Sequence, residues 1–104
     1  MPTPWRVKFR AEAQRDLGAL DNSQREEVLK AIRKVSFNPL PQSEGGYGKP
    51  LRGGLAGLMK IKLKAAGLRI VYQLIRTETA MEIIVIAVRD GDKVYDTAGQ
   101  RLKH

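Results

Sequence analysis

Residues 58–76 read LMKIKLKAAGLRIVYQLIR, and this stretch decides the fold. Charged and apolar residues alternate with period two in its first half, and apolar residues recur at every second position after a short AAG sequence. The pattern predicts strands over 58–64 and 68–76, joined by a tight turn. The next apolar sequence, MEIIVIAV at 81–88, is apolar on both faces and is therefore typical of a central strand. Short links between the three segments favour an antiparallel meander.

The N-terminal third predicts one further strand and two helices. WRVKF at 5–9 alternates like a half-buried strand, and helical spacing of apolar residues follows over 11–20. A second helix is predicted over about 23–36, where Ser23 and Glu26 fit a capping box. Prolines then end the helical pattern.

The order β-α-α-β-β-β predicts an α+β fold that forms one domain over residues 1–104. We expect a small antiparallel sheet of about four strands, with the two N-terminal helices packed on one face and the other face partly open. The short C-terminal tail carries Tyr95, Ala98 and Leu102 at helical spacing, which predicts a short helix. The glycine-rich segment 42–57 lacks a Walker phosphate-binding pattern, so a flexible connection is favoured over a phosphate-cradling loop.

Positive charge is concentrated in one third of the chain. The net charge is +8, and residues 45–77 contain seven basic and no acidic residues. These basic residues are Lys49, Arg52, Lys60, Lys62, Lys64, Arg69 and Arg76. Because protein surfaces normally mix the two signs, this segment predicts an anionic partner such as nucleic acid. The lysines should lie on the open face, since Met59, Ile61 and Leu63 can then pack under the helices.

Several chemistries are disfavoured by composition. The chain has no cysteine, its only histidine is the terminal His104, and no apolar run approaches the length of a membrane span. These features predict a soluble, cytoplasmic protein without a histidine-based mechanism. Asp90 and Asp92 flank a glycine, which is typical of a turn rather than a metal site.

A cluster of Lys, Arg and Tyr can still cleave RNA. Attack by a 2′-hydroxyl on the adjacent phosphate needs a base, stabilisation of the phosphorane charge and protonation of the leaving oxygen. Among several cations, the deprotonated form of a lysine or tyrosine is favoured, and such a group can act as the base. Candidates for these roles are Lys60, Lys62, Arg69, Arg89 and Tyr95. Each has a structural alternative: edge-protecting lysines, an Arg69–Glu82 pair across the sheet, or a core tyrosine.

Over nearly its whole length the sequence resembles the RelE/ParE superfamily of type II toxins, and most closely its RelE branch. The resemblance rests on the order and spacing of WRVKF (5–9), AQRDL (13–17), NP (38–39), KPLRG (49–53), MKIKL (59–63), GLRIVYQ (67–73), VR (88–89) and VY (94–95). It implies a ribosome-dependent endoribonuclease that cuts mRNA in the decoding site and leaves a 2′,3′-cyclic phosphate and a 5′-hydroxyl. No metal or cofactor is implied.

The resemblance also implies roles for individual residues. Tyr95 or a lysine is the base, Arg69 stabilises the phosphorane, and Arg89 serves the leaving group or orients a base. Lys60 and Lys62 hold phosphates. Lys49, Arg52, Lys64 and Arg76 are further candidates for contact with RNA or ribosomal RNA. The implied partners are a cognate antitoxin, mRNA and the ribosome, with operator DNA bound only by the toxin–antitoxin complex and no membrane.

Two other functions remain open from the sequence. A ParE-like inhibitor of DNA gyrase would have the same fold without nuclease chemistry, although such chains generally lack the full Lys, Arg and Tyr set. An inactive RNA-binding module would need base-stacking aromatic residues on the open face, and the chain has only one Trp, three Tyr and two Phe.

Overall fold

The computed structural model describes residues 3–51, 57–88 and 93–103, and within these ranges the chain forms five strands and three α-helices. In chain order these are β1 (Arg6–Phe9), α1 (Ala11–Gly18), α2 (Asn22–Ser36), β2 (Lys49–Pro50), β3 (Leu58–Leu63), β4 (Leu68–Ile75), β5 (Ala80–Val88) and α3 (Lys93–Leu102). Short 3₁₀ turns occupy Gln42–Glu44 and Arg76–Glu78. The α+β class is therefore confirmed.

The five strands form one mixed sheet in the order β1-β5-β4-β3-β2. Consecutive strands from β2 to β5 pair antiparallel, whereas β1 pairs parallel with β5. The prediction of an antiparallel sheet is therefore wrong for β1, because helices α1, α2 and three further strands separate it from β5 in the chain. The predicted meander and the central position of β5 are both confirmed, because β5 has a neighbour on each side. The strand that the sequence did not predict is β2, whose two residues are too few to produce a periodic pattern.

The first face of the sheet is covered by α1 and α2. Met59 and Ile61 of β3 join Ile70 and Tyr72 of β4 in one apolar cluster with both helices. The helices contribute Ala13, Val28, Ile32 and Val35 to this cluster. Burial of each large side chain stabilises the fold by about 1.5–3 kcal/mol relative to exposure. Because side chains alternate along a strand, this packing directs the neighbouring lysines to the opposite face.

Helix α2 begins at a different capping box from the predicted one. Asp21 Oδ1 accepts a hydrogen bond from the Gln24 backbone N–H at 2.7 Å, and Gln24 Oε1 accepts one from the Asp21 N–H at 3.2 Å. The predicted pair, Ser23 and Glu26, lies inside the helix. Aspartate followed three residues later by glutamine satisfies the same two backbone donors, so the motif was right in kind and two residues late.

The second face of the sheet is partly covered by α3. Val94 and Ala98 are buried there against Leu58, Val71 and Val85. The predicted C-terminal helix is present, but it is Val94, rather than Leu102, that completes its apolar side with Ala98. Because α3 covers only part of this face and Lys62 stays exposed, the lysine face is partly open, as predicted.

The described part of the segment between α2 and β3, residues 37–51 and 57, is more ordered than predicted. Tyr72 Oη donates to the Pro39 carbonyl at 2.7 Å, and burial raises the pKa of Tyr72. A Cβ added to Gly48 would lie 2.4 Å from Met59 Sδ and 2.7 Å from Tyr72 Oη, so glycine is required for close packing there. The described part of the glycine-rich segment is therefore held to the core, while Gly53 and Gly54 lie outside the described residues.

Candidate nucleic-acid site

The strand pairing brings the predicted cations together on the face that α3 partly covers. Lys62 of β3 lies directly opposite Arg69 of β4, and Lys60 lies opposite Lys49 of β2. Direct partners in an antiparallel pair have Cα atoms about 4.5–5.5 Å apart. Like charges at that separation destabilise a sheet. Two such pairs side by side therefore favour binding of an anion.

Helix α3 adds Tyr95 to this cationic surface. The centre of the Tyr95 ring lies 5.4 Å from Arg69 Cζ and 5.7 Å from Lys60 Nζ. Contact of a cation with the negative face of an aromatic ring is attractive, and more so where water is excluded. Arg69 is only 9% exposed. The tyrosine thus joins two of the predicted site residues, which lie on different strands, into one cluster.

The cluster of Lys60, Lys62, Arg69 and Tyr95, here called the basic site, combines groups that bind phosphate with one hydroxyl that can exchange a proton. A guanidinium presents planar paired donors to phosphate oxygens, and the lysines act as compact point charges. Lys62 is exposed and Lys60 is half-buried. A polyphosphate chain can therefore reach the basic site from solvent.

The other predicted binding residues are distributed unevenly. Lys49 is exposed beside Lys60, and Lys64 is exposed just after β3. Arg76 follows the opposite end of β4 from Arg69, about 23 Å away at the usual rise of a strand. It forms two hydrogen bonds with the Glu44 carboxylate, at 3.1 and 2.7 Å. The structure thus places Arg76 apart from the basic site.

The structure also tests one of the alternatives for Arg69. Its partner on β5 is Ala87, whereas Glu82 lies opposite Gln73 and accepts a hydrogen bond from it at 2.7 Å. The alternative of an Arg69–Glu82 pair is therefore wrong. Arg52 and Arg89, the remaining predicted site residues, lie outside the described residues, as do Asp90 and Asp92.

Two residues that the sequence analysis did not select hold α3 in place. Arg101 Nη1 donates to Asp16 Oδ2 at 2.7 Å and to the Ile84 carbonyl at 2.8 Å, and Arg101 Nη2 donates to Asp16 Oδ1 at 3.2 Å. The hydrogen bond to Asp16 raises the pKa of Arg101. Since 85 residues separate the pair in the chain, neither periodicity nor a local motif could have identified it.

Two kinds of feature are absent from the described ranges. No helix there is long and apolar enough to cross a membrane. Within the same ranges, no group of three or more acidic or histidine side chains is arranged to hold a metal ion.

Comparison with known proteins identifies the family. The family model of the ParE toxin of type II toxin–antitoxin systems matches residues 7–95. A RelE-like toxin protein of Escherichia coli is 31% identical over 100 residues, covering 95% of this chain and 98% of that protein. The mRNA interferase toxin RelE of E. coli K12 is 28% identical over 96 residues, covering 92% and 95%.

Solved structures agree with the sequence relatives. A free-state E. coli RelE with two arginine-to-alanine substitutions superposes with a TM-score of 0.79 at 26% identity, covering 96% of this chain and 99% of that one. A complex of that mutant toxin with a peptide of the antitoxin RelB gives a TM-score of 0.73 at 26% identity, covering 92% and 95%. The chain therefore belongs to the RelE/ParE superfamily of type II toxins and is of the RelE type.

Proposed function

We propose that this toxin is a metal-independent endoribonuclease that cuts mRNA on the ribosome and so inhibits translation. The observation that carries the proposal is the convergence of Lys60, Arg69 and Tyr95, in which one ring contacts two cations from neighbouring strands. Lys62, opposite Arg69, extends the same surface. These residue types supply charge stabilisation and proton transfer without histidine.

The proposed reaction is an in-line transfer within RNA. The 2′-oxygen bonds to the adjacent phosphorus, the bond from phosphorus to the 5′-oxygen breaks, and the products are a 2′,3′-cyclic phosphate and a 5′-hydroxyl. Tyr95 or a lysine accepts the 2′ proton, and Arg69 stabilises the negative charge on the phosphorane. Lys60 and Lys62 hold the flanking phosphates. The leaving-group role remains assigned to Arg89 by resemblance.

The ribosome is proposed as the setting because a relative covering 92% of the chain is named an mRNA interferase toxin RelE. The basic site lies on a sheet face that α3 covers only in part, with Lys62 exposed to solvent. A surface of this kind gains specificity when a larger partner holds the RNA in reach, because positioning the reacting groups accounts for much of a catalyst's effect. Lys49, Arg52, Lys64 and Arg76 are proposed contacts with RNA or ribosomal RNA.

A cognate antitoxin is the proposed protein partner. One similar structure is a RelE mutant bound to an antitoxin peptide, and another, at 27% identity and a TM-score of 0.70, is a toxin–antitoxin complex from Mycobacterium tuberculosis. We expect the antitoxin to neutralise the toxin by covering the basic face or displacing the tail that carries Tyr95. The complex would bind operator DNA. We further propose that residues 1–104 act as one domain in the cytoplasm.

Cleavage by purified protein in a translation reaction tests this proposal. Arg69→Ala should abolish most cutting of ribosome-bound mRNA, and Arg69→Lys should restore it only in part, because lysine keeps the charge but not the planar donors. Arg33→Ala is the matched control, since Arg33 is an exposed arginine on α2, which packs on the other face of the sheet from the basic site. Circular dichroism should show all three variants folded.

The outcome also separates the competing functions. Undiminished cutting by folded Arg69→Ala would refute the proposed roles. Inhibition of DNA supercoiling by the wild type, without RNA cleavage, would favour the ParE-like gyrase inhibitor. That alternative is not favoured here because the sequence relatives and similar structures named above carry RelE names.

A further inference from the structure

Helix α3 carries Tyr95 but has little apolar contact with which to hold its position. It is ten residues long, and its buried side chains in the described structure are Val94 and Ala98, both small. Isolated helices of this length are marginal in water. The location of the Tyr95 ring therefore depends on whatever else fixes the helix to the sheet.

Polar contacts at the C-terminal end of α3 supply that attachment. The Arg101 guanidinium is held by both oxygens of Asp16 on α1 and by the Ile84 carbonyl on β5. Asp16 Oδ2 also accepts a hydrogen bond from the Ile86 N–H at 3.0 Å. From the end of β1, Arg10 Nη2 donates to the Arg101 carbonyl at 3.1 Å, where a cation is favourable because backbone carbonyls are exposed at a helix C-terminus.

The contacts occur where the regular pairing of β5 changes. The pairing of β1 with β5 ends at Phe9 and Ile83. On the other side, β4 pairs Tyr72 with Ile83 and Val71 with Val85, so Ile84 is the extra residue of a bulge. Beyond the last β1 pair, the Arg101 guanidinium donates to the Ile84 carbonyl and the Asp16 carboxylate accepts from the Ile86 N–H. These side chains thus satisfy β5 backbone groups that a neighbouring strand would otherwise satisfy.

We propose that Arg101 is a positioning residue, whose bridge to Asp16 and Ile84 sets the location of the Tyr95 ring against Lys60 and Arg69. Arg101 does not touch the basic site; it acts through α3. The bridge is well suited to this role because its ionic side chains are only 19% and 20% exposed and its geometry is bidentate. The catalytic consequence rests on the proposed nuclease function, whereas the positional consequence does not.

The positional part is tested by NMR on the full-length protein. The Tyr95 ring current should shift the Lys60 side-chain protons, and Tyr95→Leu defines the signal without the ring. Arg101→Ala should move the Lys60 signal most of the way to that reference and raise hydrogen exchange of α3 amides at least tenfold. Amides of β4 and β5 away from the bulge should keep their protection. Lys103→Ala, which removes an exposed cation two residues later, should change neither signal.

The catalytic part is tested in the cleavage assay. Arg101→Ala should lower the rate at saturating ribosome by about a hundredfold, the loss that a displacement of a reacting group by about 1 Å can cause, with a smaller change in KM. Asp16→Asn, which keeps the size of the side chain but removes its charge and one of its two acceptor oxygens, should give an intermediate loss. Asp16→Asn also tests the positioning role if Arg101→Ala does not fold.

The two parts fail in different ways. If Arg101→Ala is folded, an unchanged Lys60 signal would overturn the positioning role, whatever the activity of the variant. If Arg101→Ala does not fold, an unchanged Lys60 signal in Asp16→Asn would overturn it instead. If the Lys60 signal is displaced in Arg101→Ala but the wild-type protein cuts no RNA, the positioning role is upheld and the nuclease function is overturned.

Discussion

Replacing Tyr95 by phenylalanine and by leucine should separate the two contributions of that side chain. Tyr95→Phe retains the ring beside Arg69 Cζ and Lys60 Nζ and removes only the hydroxyl. Tyr95→Leu removes the ring as well. The pair of variants therefore tests whether the ring organises the two cations and whether the hydroxyl takes part in catalysis.

The expected stability change follows from the two ring contacts. A cation–π contact contributes about 0.5–1 kcal/mol where exposed and about 2 kcal/mol where desolvated. Arg69 is nearly buried and Lys60 half-buried, so Tyr95→Leu should destabilise the fold by about 2 kcal/mol, and Tyr95→Phe by less than about 0.5 kcal/mol. For a domain of this size, 2 kcal/mol corresponds to a decrease in Tm of roughly 8–16 °C.

The control is Tyr47, a half-exposed tyrosine whose ring lies 5.7 Å from Lys34 Nζ. Because this single contact is exposed, Tyr47→Leu should cost no more than about 1 kcal/mol. Urea denaturation of the variants measures these differences, and the cleavage assay should show a loss of about 10²–10⁴-fold for Tyr95→Phe if its hydroxyl is the base. Equal unfolding midpoints for Tyr95→Leu and Tyr95→Phe would refute the argument from ring contacts.

Three further predictions concern contacts in the fold outside the basic site. Tyr72→Phe should destabilise the fold by about 1–2 kcal/mol in urea denaturation, because the buried Pro39 carbonyl loses its donor; no measurable loss would refute that hydrogen bond. Gly48→Ala should cost about 1–3 kcal/mol, since the added methyl meets the Tyr72 hydroxyl, and a neutral result would mean that the segment relaxes freely. The Arg76 guanidinium lowers the pKa of Glu44 from its ordinary 4.5, so this carboxylate stabilises the fold above that value and the effect is lost as pH falls through the depressed pKa. The stability difference between wild type and Glu44→Gln in acid titrations should therefore disappear at low pH, and a difference that grows on acidification would contradict the pairing.

Strands β3 and β4 could be predicted from the sequence because the period-two pattern that indicates each strand lies within its own residues. Alternation with period two places Lys60 and Lys62 on one face of any strand they form, and packing of Ile61 against the helices selects which face. The register that sets Lys62 opposite Arg69 could not be predicted, because it depends on the length and type of the connecting turn, which the alternation of residues does not specify.

The arrangement of α3 could not be predicted in the same way. Its attachment depends on Asp16 and on the bulge at Ile84, and both act through contacts between residues distant in the chain. The resemblance selects Tyr95, but the position of its ring beside Arg69 comes from the attachment of α3 to the sheet and to α1. Apolar spacing predicts a helix but does not indicate which side of that helix faces the sheet.

The chemistry of mRNA cleavage tests the central proposal most directly. Ribosomes programmed with a defined mRNA should be treated with the wild-type protein, and the ends of the products mapped. We predict cuts within codons, with 2′,3′-cyclic phosphate and 5′-hydroxyl ends, and no cut where the nucleotide 5′ to the scissile phosphate is 2′-deoxy. Undiminished cutting of the 2′-deoxy mRNA, or intact mRNA on ribosomes that bind the toxin, would contradict the proposal.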